Sequence, residues 1–215
     1  MKIEIWSDVV CPWCYIGKRR LEHALGEFEH ADEVEIAWRS FQLNPDTPPG
    51  TAVPTSEYLV QRFGPQASQM TGRVAALGRE EGLDLDFDSS LTVNTLDAHR
   101  LLHLAADLGV GDAAKERLLR AHFTEGADLS DLETLVRLAG EAGVDPDRAR
   151  EVLAGTEYAD AVQADIELAR AFGATGVPFF VIDRKYGISG AQPAEAFLQA
   201  LRTAYAEEPH TAPTR

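Results

Sequence analysis

The chain has 215 residues, with 20 basic and 35 acidic side chains and a formal net charge of −15 at pH 7. An acidic chain of this kind lacks the basic surface that nucleic acids and anionic membranes require, so neither is expected as a partner. Hydrophobic residues make up 45% of the sequence and charged residues 26%, a balance typical of a globular protein with a sizeable core. No apolar run approaches the roughly 18 residues that suggest a membrane span.

The sequence contains two cysteines, Cys11 and Cys14. Two cysteines cannot form the disulfide framework of a small secreted protein, and their close spacing is typical of redox or metal chemistry. Acidic side chains at Glu4 and Asp8 interrupt the apolar stretch that a secretory signal would need. We therefore expect a cytoplasmic protein.

Residues 2–7 alternate in hydrophobicity and predict a strand that leads to Cys11. A helix is expected next, because Pro12 suits a first helical turn and an apolar face follows at helical spacing. The residues of that face are Leu21, Ala24, Leu25 and Phe28. Residues 34–41 alternate again and predict a second strand, followed by a proline-rich turn at residues 44–50. This pattern places Cys11 at a helix N-terminus.

From residue 55 to residue 172 the periodicity is helical, and glycines mark the ends of several short helices. Asp145 and Pro146 have the pattern of an N-cap followed by a first helical position. After Gly173 the chain returns to strand character at residues 179–182, and a closing helix follows. The segment 208–215 has two prolines and no large apolar residue, so a flexible tail is expected there.

Two strands and a helix at each end of the chain, with a helical block between them, predict one α/β domain interrupted by an insertion. Residues 1–50 and 173–207 would form the α/β domain, and residues 51–172 the insertion. The cysteine pair follows the first strand, and functional sites of open α/β sheets collect where strands end and helices begin. The sequence therefore predicts an active site at this point.

A helix N-terminus stabilises a thiolate through its dipole and its unpaired N–H groups. Cys11 is therefore predicted to have the lower pKa and to attack a disulfide, and Cys14, one turn later, to resolve the mixed disulfide. A structural zinc site needs four ligands, and the sequence has no second cysteine pair. A redox-active dithiol that needs no metal and no other cofactor is the favoured interpretation.

Three segments of the chain are similar to one known family: SDVVCPWCYIG (residues 7–17), TGVPFF (175–180) and SGAQP (189–193). Over residues 2–205 the sequence resembles the FrnE-type branch of the DsbA-like thioredoxin superfamily. The resemblance implies a thioredoxin-like fold interrupted by an all-helical insertion, and a thiol-disulfide oxidoreductase activity. It also implies that Pro178 is cis and faces the dithiol, beside Pro12 and Trp13, and that the Val177 backbone pairs with an extended substrate.

The same branch includes 2-hydroxychromene-2-carboxylate isomerases and kappa-type glutathione transferases, which generally carry serine at the position of Cys11. An intact dithiol favours disulfide exchange, but a glutathione-dependent isomerase or transferase acting on an aromatic or polyketide-like molecule is the alternative. The expected partners are a disulfide- or thiol-bearing protein, glutathione as a co-substrate, or an aromatic small molecule. A non-catalytic redox sensor and a homodimer also stay open.

The resemblance extends more weakly to four candidates for a substrate groove, Phe41, Asn44, Asn94 and His99. Each has an ordinary structural alternative. Asn94 can cap a helix, and an aromatic residue followed by an Asn-Pro turn is common after a strand.

Two further clusters favour structural interpretations. His99 and His103 are four residues apart on a predicted helix, but two ligands alone rarely form a metal site, so core or surface histidines are favoured. Lys18, Arg19 and Arg20 could attract an acidic ligand, but a solvated helix face is favoured.

Overall fold

The computed structural model of the protein describes residues 1–207. Within this range the strands are β1 (Lys2–Ser7), β2 (Glu35–Ser40), β3 (Ala52–Pro54), β4 (Leu91–Val93), β5 (Phe179–Ile182) and β6 (Tyr186–Ser189). The α-helices are α1 (Pro12–Gly26), α2 (Thr55–Phe63), α3 (Ala67–Glu80), α4 (Leu96–Asp107), α5 (Gly111–Phe123), α6 (Leu132–Glu141), α7 (Pro146–Ala154), α8 (Ala159–Ala171) and α9 (Ala194–Glu207). The predicted tail at residues 208–215 lies outside the described residues.

β1 is an inner strand of the principal sheet, whose strand order is β2-β1-β5-β6. β2 runs parallel to β1, whereas β5 runs antiparallel to both β1 and β6. Ile5 is paired with Trp38 on one side and with Phe180 on the other. Because parallel neighbours need a crossover connection, α1 links β1 to β2. This connection places the start of α1 at the carboxyl end of β1.

The two faces of the sheet are covered by different helices. Ile3 and Ile5 are buried on one face among side chains of α1 and α9. Trp6 points to the other face, where it packs with Phe179 and with side chains of α8, and its indole N–H donates to the Asp165 carbonyl at 2.7 Å. Both faces are covered, and the face of Trp6 also holds Glu4, which is buried and paired with Arg39 and Arg184. The predicted strands and helices of the α/β part are confirmed.

The inserted region is helical, as predicted, with one addition. β3 and β4 form a separate two-stranded antiparallel sheet in which Ala52 pairs with Val93. The expectation of an all-helical insertion is wrong at this point, because strands of three residues are too short to show alternation. Asp145 caps α7 as predicted, accepting from the backbone N–H groups of Asp147 and Arg148. The domain boundaries at residues 50 and 173 stay a prediction.

Close packing fixes α1 against the loop that precedes β5. A Cβ atom on Gly17 would lie 3.1 Å from Cγ of Pro178 and 3.2 Å from Cζ of Phe180. A side chain at this position would have to displace its neighbours by a few tenths of an ångström, so glycine allows the close approach. Among residues 1–207, no helix combines the length and the apolar character needed to cross a bilayer.

Candidate active site

The two cysteines occupy the first turn of α1. Cys11 is the N-cap residue, and the Cys14 backbone N–H donates to the Cys11 carbonyl at 3.0 Å. Both thiols are free and buried, with exposed fractions of 3% and 1%. Cys11 Sγ donates to the carbonyl oxygen of Val177 at 3.5 Å, and the Val177–Pro178 peptide bond is cis. The structure thus brings together the cysteines and the proline loop that the resemblance implied.

A groove of about 400 Å³ opens beside Cys11. Of the residues singled out from the sequence, those that line it are Cys11, Pro12, Trp13, Asn44 and Val177. The inserted region contributes an apolar wall formed by Leu59, Phe63, Met70, Val74, Phe87 and Phe123. Arg62 is the single lysine, arginine, aspartate or glutamate among the described lining residues. Cys14 and Pro178 lie outside the lining, so a ligand in the groove meets Cys11 first.

Three weaker candidates for the groove, Phe41, Asn94 and His99, are not among its lining residues. Phe41 packs against the apolar cluster around Trp6. Asn94 donates to the Thr47 carbonyl at 2.7 Å and accepts from the Leu96 N–H at 2.9 Å, so it joins the loop before β3 to the start of α4. These contacts are structural. The capping alternative for Asn94 therefore describes its position better than the groove interpretation.

Asn44 does line the groove, where it accepts a hydrogen bond from the Tyr58 hydroxyl at 2.6 Å. Tyr58 belongs to α2, a helix with no buried residue. This bond ties α2, one wall of the groove, to the loop that follows β2.

His99 is fully buried below the dithiol, next to Asp8. His99 Nε2 lies 3.3 Å from Asp8 Oδ1, and the Leu43 backbone N–H donates to Asp8 Oδ2 at 2.8 Å. Burial alone would raise the pKa of Asp8, but these hydrogen bonds and the positive charges of His99 and Lys115 lower it. Asp8 is therefore a buried carboxylate three residues before Cys11.

Lys115 of α5 is a second charged group beneath the dithiol, and the sequence analysis did not identify it. Its side chain is fully buried, and Nζ lies 5.4 Å from the centre of the Trp38 ring with no hydrogen-bond partner among the described residues. Burial lowers the pKa of Lys115 to about 8, although the negative charges of Cys14 and Asp8 oppose this shift. A lysine with these surroundings can gain or lose its proton near neutral pH.

The surroundings of the two thiols are unequal. The hydrogen bond with Cys14, burial and the charge of Asp8 all raise the pKa of Cys11, although the Cys14 N–H opposes them. Burial would raise the pKa of Cys14, but the hydrogen bond with Cys11 and the charge of Lys115 lower it. The two thiols ionise as one interacting pair, so the predicted order, with the lower pKa at Cys11, stays a prediction. The positive charge of Lys115 acts on both sulfurs.

His122, also on α5, lines the groove and was likewise missed. It is 2% exposed, its Nδ1 has no hydrogen-bond partner within residues 1–207, and its ring lies 4.5 Å from that of Phe123 in an edge-on contact. Burial lowers the pKa of His122 to about 4, so the ring is neutral at pH 7. One signal was present in the sequence, because Lys115 and His122 stand seven residues apart on an apolar helical face with Leu118 and Leu119.

The basic run on α1 is not a solvated face, so that expectation is wrong. Lys18 is buried and pairs with Asp112 at 3.4 Å and Glu116 at 3.1 Å on α5, as well as with Glu22. The two arginines of the run also pair with acidic side chains, Arg19 with Glu22 and Glu116 and Arg20 with Glu81. These charges join α1 to α3 and α5.

His103 and His99 do not share a ligand. His103 Nε2 lies 3.1 Å from Asp165 and 3.2 Å from the Ser40 hydroxyl, whereas His99 contacts Asp8. These separate partners agree with the structural interpretation of the histidine pair, which stays a prediction.

Comparison with known proteins places this site in a family. The model of the DSBA-like thioredoxin domain matches residues 2–202. The chain belongs to this family. Membership supports the predicted thioredoxin-like fold and an enzyme of the oxidoreductase or isomerase type.

Solved structures agree with this DsbA-like assignment. A probable DsbA oxidoreductase from Streptomyces coelicolor is 44% identical, with a TM-score of 0.93 over 100% of this chain and 93% of that chain. The cytosolic disulfide reductase DsbM from Pseudomonas aeruginosa, solved with GSH, has 21% identity and a TM-score of 0.64 over 96% and 100% of the two chains. A 2-hydroxychromene-2-carboxylate isomerase has 14% identity and a TM-score of 0.61 over 96% and 95%. The last two share the fold with this chain.

Proposed function

We propose that this protein is a cytoplasmic thiol-disulfide oxidoreductase of the FrnE type, in which Cys11 attacks and Cys14 resolves. The observation that carries the proposal is the difference in access. Cys11 lines the groove and contacts Val177, whereas Cys14 lies one helical turn deeper and outside the lining. A substrate disulfide therefore reaches the sulfur of Cys11.

The exchange needs a thiolate on Cys11. Cys11 gives up its proton to water in the groove as the substrate arrives, and Cys14 keeps its own proton. Cys11 then bonds to one sulfur of the substrate disulfide, and the other sulfur leaves with the electron pair of the broken bond. Cys14 loses the proton to water, attacks Cys11 and releases the second substrate thiolate.

The groove favours a substrate that presents an apolar group next to its disulfide. Its wall from α2 and α3 is largely aliphatic and aromatic, and the side chain of Trp13 is 39% exposed beside Cys11. Burial of such a group contributes roughly 25 cal/mol for each Å² removed from water. The proposed substrates are a disulfide- or thiol-bearing protein segment and glutathione.

Reduction of insulin by dithiothreitol tests this function. The wild-type protein should accelerate the reaction, and Cys11→Ser should abolish the acceleration because no attacking sulfur remains in the groove. Cys14→Ser should stall as a mixed disulfide with the substrate. A wild-type protein that does not accelerate insulin reduction would contradict the proposal.

The groove also supports the alternative of a glutathione-dependent isomerase or transferase. A largely apolar volume of about 400 Å³ with one arginine suits an aromatic acid. Turnover of a hydroxychromene carboxylate that survives Cys11→Ser would favour this alternative, because serine can hold a glutathione thiolate but cannot exchange disulfides. If Cys11→Ser loses both the isomerase turnover and the insulin reduction, the dithiol enzyme is favoured.

A further inference from the structure

Arg62 of α2 is a charged side chain of the groove that the exchange steps above do not use. It lines the groove together with Cys11, and the other described lining residues include no aspartate, glutamate or lysine. Most arginines in residues 1–207 pair with an acidic side chain, as Arg20 does with Glu81, whereas Arg62 has no acidic partner in that range. Arg62 is exposed, so its positive charge is accessible to a ligand that enters the groove.

Two contacts hold the guanidinium group of Arg62 in place. Its Nη1 donates to the Tyr58 hydroxyl at 3.3 Å, and that hydroxyl donates in turn to Asn44 Oδ1 at 2.6 Å. The guanidinium carbon also lies 5.6 Å from the centre of the Phe63 ring. A guanidinium has five N–H donors, so the bond to Tyr58 leaves the others for a ligand. Tyr58 and Asn44 also line the groove, so the three polar side chains form one connected edge of it.

We propose that Arg62 binds a carboxylate of the substrate, and thereby selects disulfides and thiols that carry an acidic group beside an apolar body. The inference rests on the proposed redox function and adds a substrate class to it. A carboxylate suits this position because its two oxygens can accept from two parallel N–H groups of one guanidinium. Tyr58 and Asn44 are positioning residues, since they act on the substrate through Arg62.

The rest of the groove limits what accompanies the carboxylate. The volume of about 400 Å³ is in the range of small-ligand sites, and the remaining lining is mostly apolar. A small aromatic or aliphatic acid fits this description, and so does an acidic residue next to an apolar one in a protein segment. Both sources present the same chemistry, which is a carboxylate beside an apolar group and a disulfide.

Rates of disulfide exchange with matched substrates test the role of Arg62. The first pair is dithiobis(nitrobenzoate), an aromatic disulfide with carboxylates, and dithiodipyridine, an aromatic disulfide without them. The second pair is a peptide disulfide with Glu beside its cysteine and the same peptide with Gln. In Arg62→Met the rate with the carboxylate member should fall about threefold to fivefold more than the rate with the neutral member, the effect of one exposed ion pair. The pair that shows this difference identifies the source of the carboxylate.

Three further variants serve as controls. Arg73→Met removes the same charge from an exposed position of α3 outside the lining, so it should keep the wild-type ratio of rates. Arg62→Lys should restore part of the selectivity, because lysine keeps the charge but loses the two parallel donors. Tyr58→Phe should lose part of the selectivity, because the hydroxyl that accepts from Arg62 is gone.

The ratio of the two rates separates recognition from general damage, because a loss of folding or of thiol reactivity slows both members of a pair. The same ratios in Arg62→Met as in the wild type, for both pairs, would overturn the inference. A fall of equal size in Arg73→Met would also overturn it, since the effect would then come from net charge. A wild-type protein that reacts with none of these disulfides would instead overturn the redox function on which the inference rests.

Discussion

At the scale of single residues, the unequal environments of Cys11 and Cys14 decide how the dithiol can react. The interaction with Cys14, burial and, more weakly, the Asp8 carboxylate raise the pKa of Cys11, whereas the Cys14 N–H at the helix N-terminus lowers it. Lys115 acts on Cys14. Cys11 is therefore the sulfur that a substrate in the groove can reach, and Cys14 is the sulfur buried behind it.

His122 predicts a pH dependence of stability. Burial lowers its pKa from 6.5 to about 4, so between these values the unfolded chain binds a proton that the folded protein does not. Stability therefore falls as the pH falls through this window. From pH 7 to pH 5 the free energy of unfolding should fall in both proteins. The fall should be about 2 kcal/mol smaller in His122→Gln than in the wild type.

Urea denaturation at the two pH values measures this difference. His23→Gln is a suitable control, because the His23 side chain is 58% exposed. The control should keep the wild-type loss of stability. Equal losses in His122→Gln and the wild type would show that His122 is not held neutral in the folded protein.

The residues of the site differ in how well the sequence predicted them. The spacing of Cys11 and Cys14 identified them as site residues, and the resemblance to a known family identified the segment around Pro178. Lys115 and His122 come from a distant part of the chain. Whether they belong to the site depends on which face of their helix packs near the dithiol. A lysine on an apolar helix face is unusual and can be seen in the sequence. The sequence does not show which groups surround that lysine in the folded protein.

At the scale of secondary structure, the position of α1 depends on its contact with the Pro178 loop. Gly17→Ala would place a Cβ atom within 3.2 Å of both Pro178 and Phe180. The helix or the loop must then shift, which should lower the free energy of unfolding by about 1–3 kcal/mol. The displacement should also slow insulin reduction, because it would change the position of Val177 relative to Cys11.

Gly26→Ala is the matched control on the same helix. A Cβ atom at Gly26 meets nothing within 4 Å, so alanine should leave insulin reduction unchanged. It should stabilise the helix by up to about 1 kcal/mol. Thermal or urea unfolding of both variants measures the effects. Identical behaviour of the two variants would refute the packing role of Gly17.

Long periodic elements were predictable, and short or charged ones were not. The alternation in β1 and β2 and the helical periods of the insertion correspond to observed elements. β3 and β4 have three residues each, and their pairing depends on a contact between positions 52 and 93. The basic run on α1 shows the same limit, since charges that look solvated in sequence are paired when α5 packs against them.

At the scale of the whole molecule, both regions of the chain build the candidate site. The α/β part supplies the cysteines, Asp8 and the Val177 loop. The inserted helices supply His99, Lys115, His122 and the apolar wall of the groove. The inserted helices therefore contribute side chains to the candidate site as well as the wall of the groove.

The central claim is that Cys11 attacks and Cys14 resolves. The most direct measurement is intact mass after exposure of the two single serine variants to glutathione disulfide, followed by peptide mapping. Cys14→Ser should gain one glutathione on Cys11, whereas Cys11→Ser should react much more slowly because Cys14 is 1% exposed and outside the groove. Faster labelling of Cys14 than of Cys11, or no labelling of either, would contradict the account.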